Sequence, residues 1–299
     1  MQISMGDWVR LLALSILWGG AFFFTGVAIR EIPPLTLVFC RVLIAALTLF
    51  AIIKIKGIRV PCGARYLKTF LIMGFFNNLI PFSLLFWAQT SISSGLASIL
   101  NATTPIFSML VAHFVLSDEK MAANKIVGIV FGFGGVAVLI GFNALSGIDR
   151  ATFGILACLG AAFSYGIASV YGRCFRTMGM SPLVGACGQL IATTVMMVPI
   201  AVAIDQPWTL PMPGTVALLA TIALAVASTA LAYLIYFRLL ASAGAVNAAL
   251  VTLLIPPSAI LLGTAFLNEV LEPRHLFGMG LILVGLLAVD GRLWSGRDR

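Results

Sequence analysis

Two stretches of this sequence repeat one pattern, namely ASILNATTPIFSMLVAHFVLSDE at 97–119 and AALVTLLIPPSAILLGTAFLNE at 248–269. Pro105 matches Pro256 in the middle of the two copies, and each copy ends in an acidic turn. The other matches are Leu116 with Leu267, Pro34-Leu35 with Pro182-Leu183, Asn77-Asn78 with Ser228-Thr229, Gly128 with Gly278, and Gly135 with Gly285. The chain is therefore predicted to consist of two related halves.

The composition of the chain excludes an ordinary soluble domain. Of its 299 residues, 61% are hydrophobic and 9% are charged, and the mean hydropathy is +1.10, whereas soluble domains are about 25% charged. The N-terminal segment carries little basic charge and no small-residue cleavage site, so it is predicted to begin a spanning helix rather than a signal peptide. The net charge of +8 is explained by the basic loops of a membrane protein rather than by nucleic-acid binding.

The cysteines and histidines form no recognisable metal or redox motif. The five cysteines contain no CxxC pair, and the two histidines are isolated in the sequence. This pattern predicts no metal site, no disulfide framework and no cofactor. The sequence also lacks a cluster of catalytic residue types near one membrane face, so no catalytic residue and no membrane enzyme are expected.

Ten apolar segments of the sequence are long enough to cross a bilayer, which takes roughly 20 residues per helix. An even number of spans places both termini on one side. With the termini inside, fourteen of the eighteen Lys and Arg lie inside, three lie outside, and Arg41 lies within the second span. This excess of positive charge predicts cytoplasmic N and C termini. The predicted spans are 7–29, 34–54, 66–91, 94–117, 124–142, 152–175, 181–203, 213–238, 244–267 and 273–293.

The two halves are predicted to be inverted relative to each other. The repeat divides the chain into residues 1–146 and 147–299, with five spans in each part. Since five is odd, the second half enters the membrane in the opposite orientation. The expected fold is an all-α polytopic membrane protein of ten transmembrane helices in two inverted five-helix repeats. Inverted repeats are typical of secondary transporters, whose substrate site lies near the membrane midplane between the repeats.

Three prolines are predicted to open helices next to polar residues. A proline in a helix has no N–H, so the carbonyl four residues earlier loses its hydrogen bond. Polar groups at membrane depth need partners inside the protein or in a water-lined cavity. These points are therefore predicted either to act as hinges or gates around a substrate site or to hold helices together. The pairs are Pro81 with Asn77, Pro105 with Asn101, and Pro256 with Thr252.

Several spans carry aromatic and small polar residues on one face. Trp18 and Phe22 share a face of the first span, and Asn78 and Phe82 share a face of the third. Such mixed faces suit a cavity for a small amphiphilic solute, and helix packing is the alternative. Asn78 is expected to face the cavity, whereas Asn77 is expected to stabilise the helix break. The predicted substrate-binding residues are Trp18, Phe22, Asn78, Phe82, Asn101, Ser164, Tyr165, Thr229, Tyr233 and Thr252.

Arg41 is the one strong charge well inside a predicted span. An intramembrane charge is costly and is by default a functional hypothesis. Because Arg41 lies only seven residues after Pro34, its long stem could extend toward the membrane surface. A structural or gating role is therefore favoured, and binding of a substrate carboxylate is the alternative. No Asp or Glu lies near a helix midpoint, so the cavity is predicted to suit neutral or zwitterionic solutes rather than organic cations.

Four motifs extend over both halves, namely ILWGGAFF in the first span, FCRVLIAAL in the second, TPIFSMLVAHFVLSDEK before the glycine-rich fifth span, and IPPSAILLGTAFLNEVLEPRHLFGMGLILVG in the second half. Together they resemble the EamA-type transporters of the drug/metabolite transporter superfamily. The resemblance covers almost the whole chain and implies a central cavity and export of small metabolites across the bacterial inner membrane. It is closest to the branch that exports neutral and aromatic amino acids. The Pro256-Pro257 pair departs from the family, in which a single proline follows an acidic residue; Ile255 takes that place.

The function predicted from these features is export of small neutral or zwitterionic metabolites by alternating access around a central cavity. Amino acids, including aromatic and large apolar ones, are the expected substrates. An uncoupled facilitator or channel-like permease is the alternative, which the Pro and Gly breaks in matching helices disfavour. A non-transporting scaffold would leave the inverted halves and their polar midplanes unexplained. The expected partners are a small-molecule substrate and the lipid bilayer, with the protein acting as a monomer.

Overall fold

The computed structural model of the chain describes residues 4–61, 63–116, 123–141, 149–248 and 250–290. These ranges are mostly helical and contain no β-strand, as the composition predicted. Three apolar helices are of 10–17 residues, namely Asn124–Ile140, Val251–Phe266 and Pro273–Ala288. Seven helical segments are long and apolar enough to cross a membrane, namely Met5–Ala28, Pro34–Ile55, Ala64–Ala88, Ser94–Val115, Arg150–Thr177, Pro182–Ile204 and Thr215–Gly244.

The helices begin and end where local sequence signals favour it. Pro34 and Pro182 occupy the first turns of their helices, where the missing N–H of proline would have no intrahelical partner. Two π-helical turns, Phe75–Leu79 and Val226–Leu231, each join two α-helices. The α-helices are α1 (Met5–Ala28), α2 (Pro34–Ile55), α3 (Ala64–Gly74), α4 (Ile80–Ala88), α5 (Ser94–Asn101), α6 (Thr104–Val115), α7 (Ala123–Ile140), α8 (Arg150–Tyr171), α9 (Arg173–Thr177), α10 (Pro182–Ile204), α11 (Thr215–Ala225), α12 (Ala232–Ala248), α13 (Val251–Phe266) and α14 (Pro273–Asp290).

The predicted span 94–117 is interrupted rather than continuous. Helix α5 ends at Asn101 and α6 begins at Thr104. The Thr104 hydroxyl donates to the Asn101 carbonyl at 2.7 Å. This bond satisfies the acceptor that Pro105, which has no N–H, leaves open. The break predicted at Pro105 is therefore present, and a local hydroxyl stabilises it.

The predicted span 244–267 starts at a kink in the structure, because the preceding apolar segment ends at Gly244. Helix α12 extends to Ala248, and Gly244 interrupts its helical geometry with a φ of +81°, a backbone conformation that favours glycine. Helix α13 then begins at Val251 and continues through Pro256. The interruption in the second half therefore lies before α13 and not at the predicted hinge residue Pro256.

Helices α7 and α14 pack closely through glycines from the two halves. A Cβ on Gly135 would lie 2.6 Å from the carbonyl oxygen of Gly278, and a Cβ on Gly285 would lie 2.7 Å from that of Gly128. In the sequence, Gly128 matches Gly278 and Gly135 matches Gly285. The two contacts are thus copies of each other with the halves exchanged, which is the pattern that a two-fold relation produces.

The helices of the two halves are interleaved. Helix α1 packs against α11, α12 and α13, while α2 packs against α10 and α11. Helices α4 and α6 both pack against α8. The backbones come very close at one of these crossings, because a Cβ on Gly19 of α1 would lie 2.9 Å from the backbone nitrogen of Ala259 in α13. As a result, helices from both halves surround the centre of the molecule.

Candidate functional site

Two π-helical turns lie at matched positions in the two halves. The first contains Asn77-Asn78, and the second contains Ser228-Thr229, which is the pair matched to it in sequence. A π turn contains more residues than an α turn, and such turns occur frequently at functional sites. Each lies near the middle of a long apolar segment, Ala64–Ala88 for the first and Thr215–Gly244 for the second.

The first π turn is bonded to α8 through its backbone. The Ser164 hydroxyl donates to the Phe76 carbonyl at 2.7 Å. In π-type pairing an N–H bonds to the carbonyl five residues earlier, so the missing N–H of Pro81 leaves the carbonyl of Phe76 open. The sequence predicted an open carbonyl at Asn77 instead. The π register displaces it by one residue, and Ser164 supplies the missing donor.

The orientations predicted for the two asparagines are reversed. Asn78 is fully buried, and its Nδ2 donates to Thr193 Oγ1 of α10 at 3.2 Å. Asn77 is partly exposed, and its Nδ2 donates to Gln189 Oε1 at 3.0 Å. The extra residue of the π turn changes the direction of the positions that follow it, and this points Asn78 at α10. Asn78 therefore packs between helices, while Asn77 interacts with the Tyr233 hydroxyl.

The second π turn binds Arg41 from the other half. Arg41 Nε donates to Thr229 Oγ1 at 3.0 Å. The guanidinium carbon lies 3.8 Å from the ring centroid of Phe82 and 5.6 Å from that of Phe86, which is within cation–π range. Arg41 is 7% exposed, and its partner Thr229 lies at the middle of a spanning segment. The side chain thus points into the protein and does not extend toward the membrane surface.

Aromatic side chains surround this charge. Tyr165 and Tyr233 lie close enough to Arg41 to interact with it electrostatically. Trp18 contacts Tyr236, with 5.4 Å between the ring centroids. The three tyrosines lie deep in the molecule, and each of them, like Trp18, retains accessible surface. Together with Arg41, these side chains form a partly accessible aromatic cluster.

The other predicted residues lie in different surroundings. Phe22 is buried in the apolar core on the same face of α1 as Trp18. Asn101 is partly exposed, and its Oδ1 has no hydrogen-bond partner among the described residues. Thr252 is partly buried in the first turn of α13. These residues come from several helices. Among the predicted site residues, Asn78 Oδ1 and Asn101 Oδ1 are enclosed without a hydrogen-bond partner in the described ranges.

Three residues of the site were not among the predicted ones, namely Gln189, Thr193 and Phe86. Gln189 and Thr193 lie four residues apart, and so they share one face of α10. A polar pair at this spacing in an apolar span is the sequence signal by which both residues could have been predicted. Phe86 carried no comparable signal, because a phenylalanine in a membrane span is ordinary.

Gln189 occupies the position in the second half that Arg41 occupies in the first. Arg41 lies seven residues after Pro34, and Gln189 lies seven residues after the matched Pro182. Each contacts the π turn of the opposite half. The centre of the molecule thus contains two contacts between a matched helix position and a π turn, of which one is charged. They meet the turns one position apart, because Thr229 matches Asn78 and not Asn77.

Three carboxylates join the two halves at one end of the molecule. Each accepts a hydrogen bond from a backbone N–H at or beside the start of a helix, where the helix dipole favours negative charge. Each bond connects one half to the other. The bonds run from Gly214 N to Glu31 Oε2 at 2.6 Å, from Thr36 N to Asp205 Oδ2 at 2.7 Å, from Ser94 N to Glu269 Oε1 at 2.8 Å and from Gly95 N to Glu269 Oε2 at 3.1 Å.

A cavity of about 300 Å³ adjoins this end, and its lining includes Arg30, Gln89, Ser94 and Glu269. Gln89 Oε1 and Ser94 Oγ are enclosed without a hydrogen-bond partner in the described part of the chain. Within the same ranges, no group of three or more His, Cys, Asp or Glu side chains is arranged to hold a metal ion.

The apolar helices and the polar, aromatic centre between them define a class of protein, the multi-span membrane transporters. The chain belongs to the EamA-like transporter family, which matches residues 8–141 and 152–289. It is a multi-pass transporter of the inner membrane and not an enzyme.

Several known proteins are similar to this chain. The uncharacterized inner membrane transporter YedA of Escherichia coli is 28% identical over 93% of this chain and 89% of YedA. A probable terminal-alkyne amino-acid exporter of Streptantibioticus cattleyicolor is 26% identical over 99% of this chain and 97% of that protein. The uncharacterized transporter YoaV of Bacillus subtilis is 33% identical, but the match spans only 54% of this chain and 56% of YoaV. A solved crystal structure shares the fold, with a TM-score of 0.67 at 18% identity over 98% of this chain and 99% of that one.

Proposed function

We propose that this transporter exports small zwitterionic metabolites, chiefly amino acids with aromatic or large apolar side chains. The observation that carries the proposal is the pair of matched π turns, which brings polar groups of both halves to one aromatic centre. Arg41 and the neighbouring amides and hydroxyls can bind a charged head group, and Trp18, Tyr165 and Tyr233 can contact an apolar side chain. The name of the Streptantibioticus relative, an amino-acid exporter, supports this substrate class.

The proposed topology has ten spans in two inverted five-helix repeats, over residues 1–146 and 147–299, with both termini in the cytoplasm. Seven long apolar segments and three shorter ones support the count. The excess of Lys and Arg on the inner side supports the orientation. The reciprocal glycine contacts between α7 and α14 support the two-fold relation. This arrangement puts the substrate site near the midplane.

The proposed mechanism is alternating access by a monomer. On the proposed topology, Glu31, Asp205 and Glu269 lie at the outer end, where their bonds between the halves close the site to the outside. Release of the solute requires these bonds to break as the halves rock apart. The interruptions before Pro105 and at Gly244 are proposed hinge points, as are Asn77, Pro81 and Pro256, and Arg41 joins the halves at the centre.

Transport by the purified protein in liposomes tests this proposal. We expect uptake of labelled phenylalanine, leucine and tryptophan, and no uptake of organic cations such as tetraethylammonium. Repeating the assay with and without a proton gradient separates a coupled exporter from an uncoupled facilitator, whose rate the gradient would not change. Transport of the organic cation without transport of any amino acid would refute the proposed substrate class. Empty liposomes serve as the control.

A further inference from the structure

We infer that Arg41 binds the carboxylate of the transported solute, so that a free carboxylate is required of a substrate; this inference rests on the proposed amino-acid export. The first observation is that the charge of Arg41 is not balanced within the protein. In the described ranges, the ion pairs join Arg10 to Asp7 and Arg274 to Glu272, near helix ends. No carboxylate of these ranges pairs with Arg41. A buried charge without a counter-ion is costly, and a bound anion would compensate it.

The second observation is that the terminal nitrogens of Arg41 are available. A guanidinium has five N–H donors in a planar fork, and the bond to Thr229 uses the one on Nε. Nη1 and Nη2 make no hydrogen bond to the described residues, and neither is enclosed. A planar pair of donors of this kind suits bidentate binding of a carboxylate. The edge of the guanidinium thus retains four N–H groups that make no hydrogen bond to the described residues.

The third observation is that the fork is held rigidly before any ligand binds. One face of the guanidinium lies 3.8 Å from the ring centroid of Phe82, and Thr229 holds the Nε side. Stacking on an aromatic ring leaves the edge of the fork free for hydrogen bonds. A group already fixed in its binding geometry loses less conformational freedom on binding.

The fourth observation comes from the matched position in the other half. Gln189 is 4% exposed, and its amide oxygen accepts from Asn77 of the opposite π turn. A neutral side chain at this matched position of α2 and α10 is therefore sufficient to bond to a π turn. The fold does not demand a cation there, so the charge of Arg41 serves a role beyond helix packing.

Calorimetry measures the binding of three ligands to the purified protein and tests the inference. They are L-phenylalanine, L-phenylalaninamide, which lacks the free carboxylate, and 3-phenylpropionate, which lacks the ammonium group. We expect phenylalanine to bind about 10- to 100-fold more tightly than its amide, as hydrogen bonds between charged groups imply. Arg41→Gln should remove this preference, and Arg41→Lys should keep part of it because lysine retains the charge without the fork.

Lys54→Gln is the matched control, since it removes a charge from the exposed end of the same helix and should leave the preference unchanged. Equal binding of phenylalanine and its amide to the wild type would overturn the role of Arg41 and leave amino-acid export standing. A third outcome is that 3-phenylpropionate binds in an Arg41-dependent manner and phenylalanine does not bind. This outcome would support the carboxylate site and refute amino-acid export. If Arg41→Gln does not fold, the wild-type preference and the Arg41→Lys variant decide the question.

Discussion

Arg41 and Gln189 occupy matched positions in the two halves of this transporter, and they differ in their chemistry. Arg41 donates to Thr229 in the second π turn, whereas Gln189 accepts from Asn77 in the first. The two contacts meet their π turns one position apart, since Thr229 matches Asn78 and not Asn77. One side chain is a cation with available donors, and the other is a neutral amide with an occupied acceptor. The matched positions therefore differ in charge, because the first half contributes a cation and the second contributes a neutral side chain.

The two π turns also differ in how their backbones are satisfied. The first depends on another helix, because Ser164 of α8 donates to the carbonyl of Phe76. In the second, Thr229 donates at 2.9 Å to the carbonyl of Leu224 on its own segment. The first turn is thus sensitive to its neighbours, and the second carries its own donor.

The largest effect is expected from giving the second half the charge of the first. Gln189→Arg places an uncompensated cation in a closed position, and we expect it to lower the free energy of unfolding by about 3 to 5 kcal/mol. Thermal unfolding in detergent measures this loss. Gln189→Met is the control, because it is of similar size and adds no charge. Wild-type stability of Gln189→Arg would mean that the two positions tolerate a cation equally well.

A smaller effect is expected at the glycine contacts, where the halves should respond alike. Gly135→Ala and Gly285→Ala each place a Cβ within 2.6–2.7 Å of a backbone oxygen, so α7 and α14 must separate, at a cost of about 1 to 3 kcal/mol. Gly134→Ala is the control, since a Cβ there meets nothing within 4 Å. Unequal losses from the two contacts, measured by thermal unfolding, would contradict the two-fold relation.

Removal of the donor to the first π turn should cost about 1 to 2 kcal/mol. Ser164→Ala leaves the partly buried Phe76 carbonyl without its partner, and an unsatisfied polar group removed from water carries this penalty. The midpoint of thermal unfolding measures the loss. Ser169→Ala is the matched control, because Ser169 is exposed and bonds to Gly166 of its own helix. If both variants unfold at the same temperature, the first turn does not depend on α8.

The smallest effect is expected at the end closed by carboxylates. Glu269→Gln removes the charge that holds the N–H groups of Ser94 and Gly95, and such contacts contribute about 0.3 to 1 kcal/mol. Hydrogen–deuterium exchange of these two amides should become roughly 2- to 5-fold faster, by the same free energy. Glu272→Gln is the control, because Glu272 pairs with Arg274 instead. An unchanged exchange rate in Glu269→Gln would show that this carboxylate does not hold the two halves together.

Much of the architecture can be predicted from the sequence, because it depends on the hydrophobic composition and on the internal repeat. The apolar segments predicted the all-α fold, and the repeat predicted which residues correspond. Thr193 and Gln189 show the limit of this approach. Both are polar residues in an apolar span, but their partners lie more than 100 residues away along the chain. Only packing decides which of several polar side chains meet.

Asn77 and Asn78 show most clearly which features can be predicted from the sequence and which depend on tertiary packing. The sequence alone predicts an amide pair at the middle of a spanning segment, before Pro81, with a counterpart in Ser228-Thr229. Tertiary structure decided which amide faces the centre. An α turn and a π turn differ by one residue, and here Ser164 donates to a carbonyl of the wider turn while Thr193 accepts from Asn78. These partners come from distant parts of the chain, so the register and the direction of both asparagines are set by packing.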